Sequence, residues 1–447
     1  MIPAIKKSTD QAKWKRAEDL NLIDNEATGL IVQQSLKLQG QVAISGAKNA
    51  VLVIMASLIL CDGKSILRNV PASTDVLHMI SVLEFLGATV FFDMENHILQ
   101  VDSSSINSYT VDMELMKKMR ASVLVAGPLL VRFGRADIAL PGGCSIGPRP
   151  IDFHLKNFAR MGIEIKVEGD YVHAFAKKCV PTKIVLEYPS VGATENILMT
   201  ATLTKGKTII VNASLEPEVI DLIAVLKKMG AHIHIENPAT IEIEGVSSLK
   251  PIDHTVMMDR LEVGGLLLAS AITGGNIYLP EAQANHLEVF LEKLTEMGHS
   301  ITCEMPRGIR LKATLSPKAV SFRTAPFPGF PTDLQAPMIA ALALAEGDSI
   351  VHETVFENRF LHIRELQKMG AQIEVNGDRA RIRGVERLYG TSVIASDIRA
   401  SCALVLAGLA AQGSTTIIGI HHWRRGYENL ENKLKALGAK ISLKTSN

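Results

Sequence analysis

The sequence predicts an α/β protein in which six repeated units build two lobes, with helices inside and sheets outside. Three observations carry this. A glycine that closes a helix-like run and opens a β-branched stretch recurs at Gly87, Gly162, Gly230, Gly298, Gly370 and Gly438, about seventy residues apart. A second series interleaves with the first, at Gly63, Gly134, Gly206, Gly275, Gly347 and Gly413. Glycine past the last helical turn adopts the left-handed conformation that other residues avoid, so both series mark helix ends that feed strands. Each unit also holds one helix-like run with hardly a polar position, such as Ser122 to Val131, and a helix that is apolar all round is buried on every side. The units therefore read helix, strand, helix, strands, three to a lobe, with a cleft between the two halves. A doubly wound parallel sheet would carry a Gly-rich phosphate fingerprint, and the chain has none.

The 447 residues are ample for two or three domains with their own cores. Residues 1–26 are charged and lack apolar periodicity, so they read as a loosely ordered extension, with a docking helix around Trp14 as the alternative. Residues 48–257 are expected to form one lobe, and residues 27–47 with 258–447 the other. Lysine plus arginine number 47 against 46 acids, a formal charge of +1. No global basic field points to nucleic acid or an anionic membrane, and any anion site must be local. The longest apolar run, Ala50 to Leu60, is too short to span a bilayer, and no apolar signal core opens the chain. Cys61, Cys144, Cys179, Cys303 and Cys402 are far apart and odd in number, which argues against disulfides or a zinc site and fits a reducing cytoplasm.

Local anion sites are present at the helix starts. Ser45-Gly46-Ala47-Lys48-Asn49 precedes the first buried helix, where free N–H groups and the helix dipole attract anions. The equivalent turn of unit two carries Arg120, and that of unit six carries Asp397 and Arg399. Unit five has an acid there instead, Asp333, so one carboxylate is expected to face several cations, an arrangement suited to a base. Arg359, Arg424 and Arg425 are further loop cations, and arginine suits bidentate binding of phosphate and carboxylate. The segment Pro141 to Asp152, Pro-Gly-Gly-Cys-Ser-Ile-Gly-Pro-Arg-Pro-Ile-Asp, joins a thiol, a guanidinium and three glycines in a loop that neither helix nor sheet can absorb. A thiol beside an arginine gains acidity, although a structural cysteine among ordinary turn glycines is the alternative from this loop alone.

Together, Ser-Gly-Ala-Lys-Asn at 45–49, Met-Arg-Ala-Ser at 119–122, the Pro-Gly-Gly-Cys loop, Ser-Val-Gly-Ala-Thr at 190–194, Phe-Pro-Thr-Asp at 330–333, Phe-Glu-Asn-Arg at 356–359 and Arg-Gly-Tyr-Glu at 425–428 give the chain its resemblance. From about residue 27 to the C-terminus it resembles the UDP-N-acetylglucosamine 1-carboxyvinyltransferase family. The resemblance implies the two-lobed inside-out α/β barrel of enolpyruvyl transferases, with the segment before Lys48 returning to the second lobe. It implies transfer of the enolpyruvyl group of phosphoenolpyruvate to the 3′-hydroxyl of UDP-N-acetylglucosamine, committing the sugar to peptidoglycan for cell-wall growth and division. The implied partners are these two small molecules, with no metal or organic cofactor.

By the same resemblance Asp333 is the base, and Cys144 shuttles the proton at C3 and is the thiol that fosfomycin alkylates. Lys48, Asn49, Arg120, Arg149, Arg359, Arg399 and Arg425 hold phosphoenolpyruvate, with Lys48 and Arg425 in the catalytic set and Asp397 in support. The UDP-sugar falls to Asn49, Arg120, Arg149, Pro150, Ile151, Asp152, Phe153, Tyr188, Pro189, Ser190, Val191, Gly192, Asp333 and Val355. Three positions depart from the family pattern: Tyr188 replaces a usual Lys, Phe327 a usual His and Arg424 a usual Asp, all bearing on nucleotide recognition. The alternatives are another uridine nucleotide as acceptor, shikimate 3-phosphate, whose sister family lacks the Pro-Gly-Gly-Cys loop, and a non-catalytic nucleotide-binding relative, against which Lys48, Cys144 and Asp333 argue.

Overall fold

Six buried helices organise the protein: α1 (Lys48–Ser57), α2 (Ala126–Phe133), α3 (Val191–Thr202), α4 (Arg260–Ile272), α5 (Gln335–Leu342) and α6 (Ile398–Ala410). The computed structural model describes residues 27–139, 151–236, 238–304 and 306–445. The expected N-terminal extension, the Trp14 helix and most of the Cys144 loop lie outside them. All eight residues of α5 are buried, and so are all those of α4 from Arg260 to Ala271, so neither helix has a face to offer solvent. The run from Ser122 to Val131 is not one helix. It begins as a 3₁₀ turn, Arg120–Val125, and becomes α-helical at Ala126. The ring of Pro128 would strike the carbonyl four residues earlier in a continuous helix, whereas in the first turn its missing N–H costs nothing. Unit five repeats the device, with Thr332–Leu334 as the 3₁₀ turn and Pro337 in the first turn of α5.

In units one to five each buried helix feeds a strand, an outer helix and a hairpin that folds back beside that first strand; in unit six Ala27–Gln33 takes the place of one hairpin strand. In unit five Asp348–His352 pairs antiparallel with Arg379–Arg383, which pairs with Gln372–Asn376. Ala380 and Ile382 point inward and the arginines between them point out, the period of two that a sheet with one wet face requires. Among the described residues six sheets enclose the helices. The glycines of the first series all have positive φ, from +77° at Gly162 to +111° at Gly230. In the second series Gly275 is the exception. There the left-handed residue is Gly274 (φ +69°), and Gly275 is needed because a Cβ would lie 2.3 Å from the Leu38 carbonyl oxygen.

The apolar side chains form two clusters, one from Ala47 to Val256 and one joining residues 30–44 to 261–441. Both close on themselves. Asp253–Thr255, which follows unit three, lies parallel to Lys64–Arg68 in the first sheet. Ala27–Gln33 sits between Ser414–Ile418 and Lys440–Thr445, antiparallel to both, and Gln39–Gln41 runs parallel to Asn276–Leu279. The chain passes between the clusters twice, and the two passages cross as an antiparallel bridge of Gly46 with Met258. Ala47 N donates to Met257 O at 2.8 Å, and Asp259 N donates to Ser45 O at 2.9 Å. A Cβ on Gly46 would lie 1.7 Å from the backbone oxygen of Asn69. Gly46→Ala is therefore expected to lower unfolding stability by at least about 1–3 kcal/mol, as overpacking against rigid backbone does, measured by denaturant titration with unchanged m-value.

Candidate active site

The crossing delivers Lys48 to the first turn of α1, with Ala47 as the N-cap, and holds its side chain about nine-tenths buried. A lone ammonium there would be costly, so it needs a counter-ion. Asp75, in the first turn of the outer helix Thr74–Phe85, supplies it. Lys48 Nζ donates to Asp75 Oδ2 at 3.1 Å, and Arg425 Nε donates to Asp75 Oδ1 at 2.8 Å. Arg425 lies on the short helix Ile420–Gly426 of the other cluster, so one carboxylate ties cations from both halves. Burial alone would raise the Asp75 pKa, but the charges of Lys48 and Arg425 outweigh it and hold the carboxyl below its ordinary range.

Facing this cluster, Asp333 sits in the 3₁₀ turn before α5. Its Oδ1 accepts from Arg359 Nη2 at 2.6 Å and its Oδ2 from Arg399 Nη2 at 2.9 Å. Arg399 Nη1 also donates to the Tyr427 hydroxyl at 3.0 Å. Burial opposes ionisation of Asp333, yet Arg399, Arg359 and Lys48 together keep it far below the usual carboxylate range. The effect of Lys48 on Asp333 places the two helix starts within electrostatic reach of each other. Asp397 accepts from Arg399 N at 2.9 Å and Ala400 N at 3.1 Å, so it is first the N-cap of α6 and holds Arg399 in place. Beside it His362 is buried, which pushes the imidazole pKa down to about 4 and keeps the ring neutral at physiological pH.

Of the residues expected to take the nucleotide, the structure brings the turn at 188–192 against the helix Asp152–Arg160. Ser190 caps α3, accepting from Ala193 N at 3.4 Å, and its own N–H donates to Tyr188 O at 2.7 Å. This fixes the turn that carries Tyr188, Pro189, Val191 and Gly192. Gly192 faces His154, whose ring carbon would lie 3.1 Å from an added Cβ. His154 belongs to the helix Asp152–Arg160, so Ile151, Asp152 and Phe153 stand at the same wall. Val355 N donates to Glu353 Oε1 at 2.8 Å. Asn49 is half-buried beside Lys48, and Arg120 opens its 3₁₀ turn. Cys144, Arg149 and Pro150 lie outside the described residues. The other cysteines are poor nucleophiles here: burial pushes the Cys402 thiol up to about 11 and raises those of Cys61, Cys179 and Cys303.

Three parts of the site carry no sequence signal of their own. Asp75 reads as an ordinary first-turn acid. Glu353 accepts from Thr324 Oγ1, Thr332 Oγ1 and Val355 N at 2.8–3.0 Å, and so sets the Asp333 turn against the Val355 loop. Arg260, at the start of α4, donates to both oxygens of Glu218 at 3.0 Å and to Glu216 at 2.6 Å, across the junction of the halves. The Phe327 ring centroid lies 6.0 Å from the Arg260 guanidinium, and Phe327 N donates to Glu216 Oε1 at 3.0 Å, so the loop around this unusual residue is anchored through its backbone. Arg424 makes a long ion pair with Glu431 at 3.9 Å. Tyr188 is half-buried, and burial together with Glu353 and Glu216 raises its pKa, which keeps it a neutral phenol. Among the described residues no group of three or more metal-ligating side chains occurs, and no helix is long and apolar enough to cross a membrane.

The profile of the family described as EPSP synthase (3-phosphoshikimate 1-carboxyvinyltransferase) matches residues 32–434. A UDP-N-acetylglucosamine 1-carboxyvinyltransferase of Caldanaerobacter subterraneus is 48% identical over 93% of this chain and 99% of its own length. Enzymes of the same name from Geobacter metallireducens and Myxococcus xanthus are each 45% identical over 92% of the chain and 98% of their own. Among solved structures, the enolpyruvyl transferase NikO from Streptomyces tendae superimposes with a TM-score of 0.85 at 25% identity, over 94% of this chain and 99% of that one. EPSP synthase from Acinetobacter baumannii, at 17% identity and a TM-score of 0.73, over 94% of this chain and 100% of its own, shares the fold. Six sheets around six buried helices, with opposed cationic helix starts between them, are thus the enolpyruvyl transferase architecture, and the chain belongs to the UDP-N-acetylglucosamine 1-carboxyvinyltransferase family.

Proposed function

We propose that the protein transfers the enolpyruvyl group of phosphoenolpyruvate to the 3′-hydroxyl of UDP-N-acetylglucosamine, releasing phosphate, as a cytoplasmic enzyme at the entry to peptidoglycan synthesis. The observation that carries this is the pairing of Lys48 and Arg425 through Asp75, opposite Asp333 held by Arg359 and Arg399. Four cations share two carboxylates, an excess of positive charge suited to a small substrate bearing a phosphate and a carboxylate.

In the reaction the 3′-oxygen bonds to C2 of phosphoenolpyruvate, its proton passes to a base, and C3 gains a proton to become a methyl group. The tetrahedral ketal then loses a C3 proton as the C2–O bond to phosphate breaks. Asp333 takes the base role and Cys144 the exchange at C3. In the unliganded arrangement the two guanidiniums suppress the proton affinity of Asp333. The incoming phosphate and carboxylate compete for Arg359, Arg399 and Arg425, which frees Asp333 and raises its basicity when the acceptor hydroxyl is in place. The cations also stabilise charge on the departing phosphate. Arg120, Arg149 and the wall from Ile151 to Phe153, Tyr188 to Gly192 and Val355 hold the nucleotide.

Phosphate release from phosphoenolpyruvate should appear with UDP-N-acetylglucosamine and be absent with UMP or shikimate 3-phosphate; turnover only with another acceptor would overturn the assignment. Asp333→Asn should lower turnover by ~10²- to 10⁴-fold, the usual worth of a general base, while calorimetry shows that UDP-N-acetylglucosamine still binds. Near-normal turnover would move the base elsewhere. Fosfomycin should add once, at Cys144, and faster with UDP-sugar present. Cys144→Asp should retain activity and gain resistance, because a carboxylate shuttles a proton but does not open the epoxide as a thiolate does, whereas Cys144→Ser should be impaired. Peptide mass mapping that finds the adduct on Cys61, Cys179, Cys303 or Cys402 would remove Cys144 from its role.

A further inference from the structure

Neighbouring units of the first lobe meet along seams, and the seams are not closed in the same way. Where unit two meets unit one, Arg132 of α2 fills the gap: Nη1 donates to Ile59 O at 2.8 Å and Cys61 O at 3.3 Å, Nη2 donates to Ser103 O at 3.0 Å, and the guanidinium pairs with Asp62. Arg132 stands two residues before Gly134. The residue two before Gly206, at the corresponding place in unit three, is Thr204, and its hydroxyl turns back onto its own chain, donating to Thr200 O at 2.8 Å. A threonine is too short to close the seam. The groove left between units two and three has a volume of about 910 Å³, within the range of small-molecule sites.

Its apolar lining comes from Leu130, Val131, Phe133, Phe175, Ala176 and Leu203. Phe175 is 38% exposed, and Val180, 50% exposed, lies close by across Gly162. Three exposed lysines, Lys177, Lys178 and Lys205, also line it, against one acid, Glu164. No carboxylate among the described residues is within ion-pair distance of any of the three. Three cations left unneutralised around a groove with a mixed lining, whose exposed apolar part includes the Phe175 ring, ask for an occupant with a negative head and an apolar body. We propose that this groove binds a free anionic amphiphile, a phosphate or carboxylate monoanion or dianion bearing a short hydrocarbon or aryl group. The site is separate from the cationic cluster around Asp333. It lies at the far end of α3, whose first residue belongs to the expected nucleotide wall, and beside Gly134, from which the strand Arg135–Ala139 leads toward the Cys144 segment.

The test uses octyl phosphate, below its micelle concentration, titrated into the full chain by calorimetry. Saturable one-to-one binding is expected, undisturbed by saturating UDP-N-acetylglucosamine, with octyltrimethylammonium failing to bind. Replacing the lysines together, Lys177→Gln, Lys178→Gln and Lys205→Gln, should weaken binding roughly tenfold or more, three modest charge contacts in sum, with the melting temperature unchanged. Thr204→Arg should abolish it by closing the seam as Arg132 does. Cys179, half-buried in the same groove, provides a readout that needs no variant: octyl phosphate should slow its alkylation by iodoacetamide, read by mass mapping. Absent binding, binding unaltered in the triple variant, displacement by UDP-N-acetylglucosamine, or equal affinity for the cationic amphiphile would each overturn the proposal. So would lysine-dependent sedimentation with anionic lipid vesicles in the absence of any binding of monomeric octyl phosphate, because the occupant would then be a membrane surface.

Discussion

Everything in this molecule answers to the need to enclose helices that have no polar face. A helix such as α5, buried at all eight positions, cannot pack on one side and meet water on the other. Three sheets folded around three such helices satisfy the constraint, and they force the polar ends of the helices to emerge at the ends of each lobe. The free N–H groups and positive dipole ends are thereby gathered in one place, and the sequence adds side-chain cations to them. The apolar interior and the cation-rich junction are two results of a single packing solution.

At the junction the protein holds charges that would separate the halves if left unpaired. Asp75 and Asp333 each accept from two cations, while Arg260 joins two acids. Removing one member of such a buried set leaves an uncompensated charge and costs roughly 3–5 kcal/mol, whereas the intact set adds little beyond a hydrophobic replacement. Its value is geometric. The two carboxylates fix Lys48, Arg425, Arg359 and Arg399 in defined orientations, and under the proposed function those cations would be oriented before a substrate anion arrives.

Much of this was legible in the residues. The glycines at helix ends gave the count of six, because left-handed φ leaves few other choices, and Gly275 misled only by one position, since a close backbone approach also demands glycine. Lys48, Asp333, Arg359, Arg399 and Arg425 stood out because charged residues beside apolar runs are conspicuous. Asp75, Glu353 and the Glu216–Glu218–Arg260 group did not, since each is an unremarkable polar residue in its own stretch and gains its role from side-chain partners 21 to 350 residues away. The split of the Ser122–Val131 run into a 3₁₀ turn and α2 was available from Pro128, yet the apolar pattern masked it. The seam groove was invisible for a related reason: it arises from what Thr204 does not reach, and absence of a contact leaves no mark in a sequence.

The threading of Ala27–Gln33 into the sheet of unit six has a consequence for biosynthesis. Both of its neighbours, Ser414–Ile418 and Lys440–Thr445, are made some four hundred residues after it. The first lobe has its closing strand once Asp253–Thr255 has emerged, and it can assemble while translation continues. The second cannot. Its earliest strand waits unpaired through the synthesis of some four hundred residues, so the nascent chain carries an exposed edge-forming segment, together with the apolar helices of the same cluster, until Ser414–Ile418 and Lys440–Thr445 have emerged.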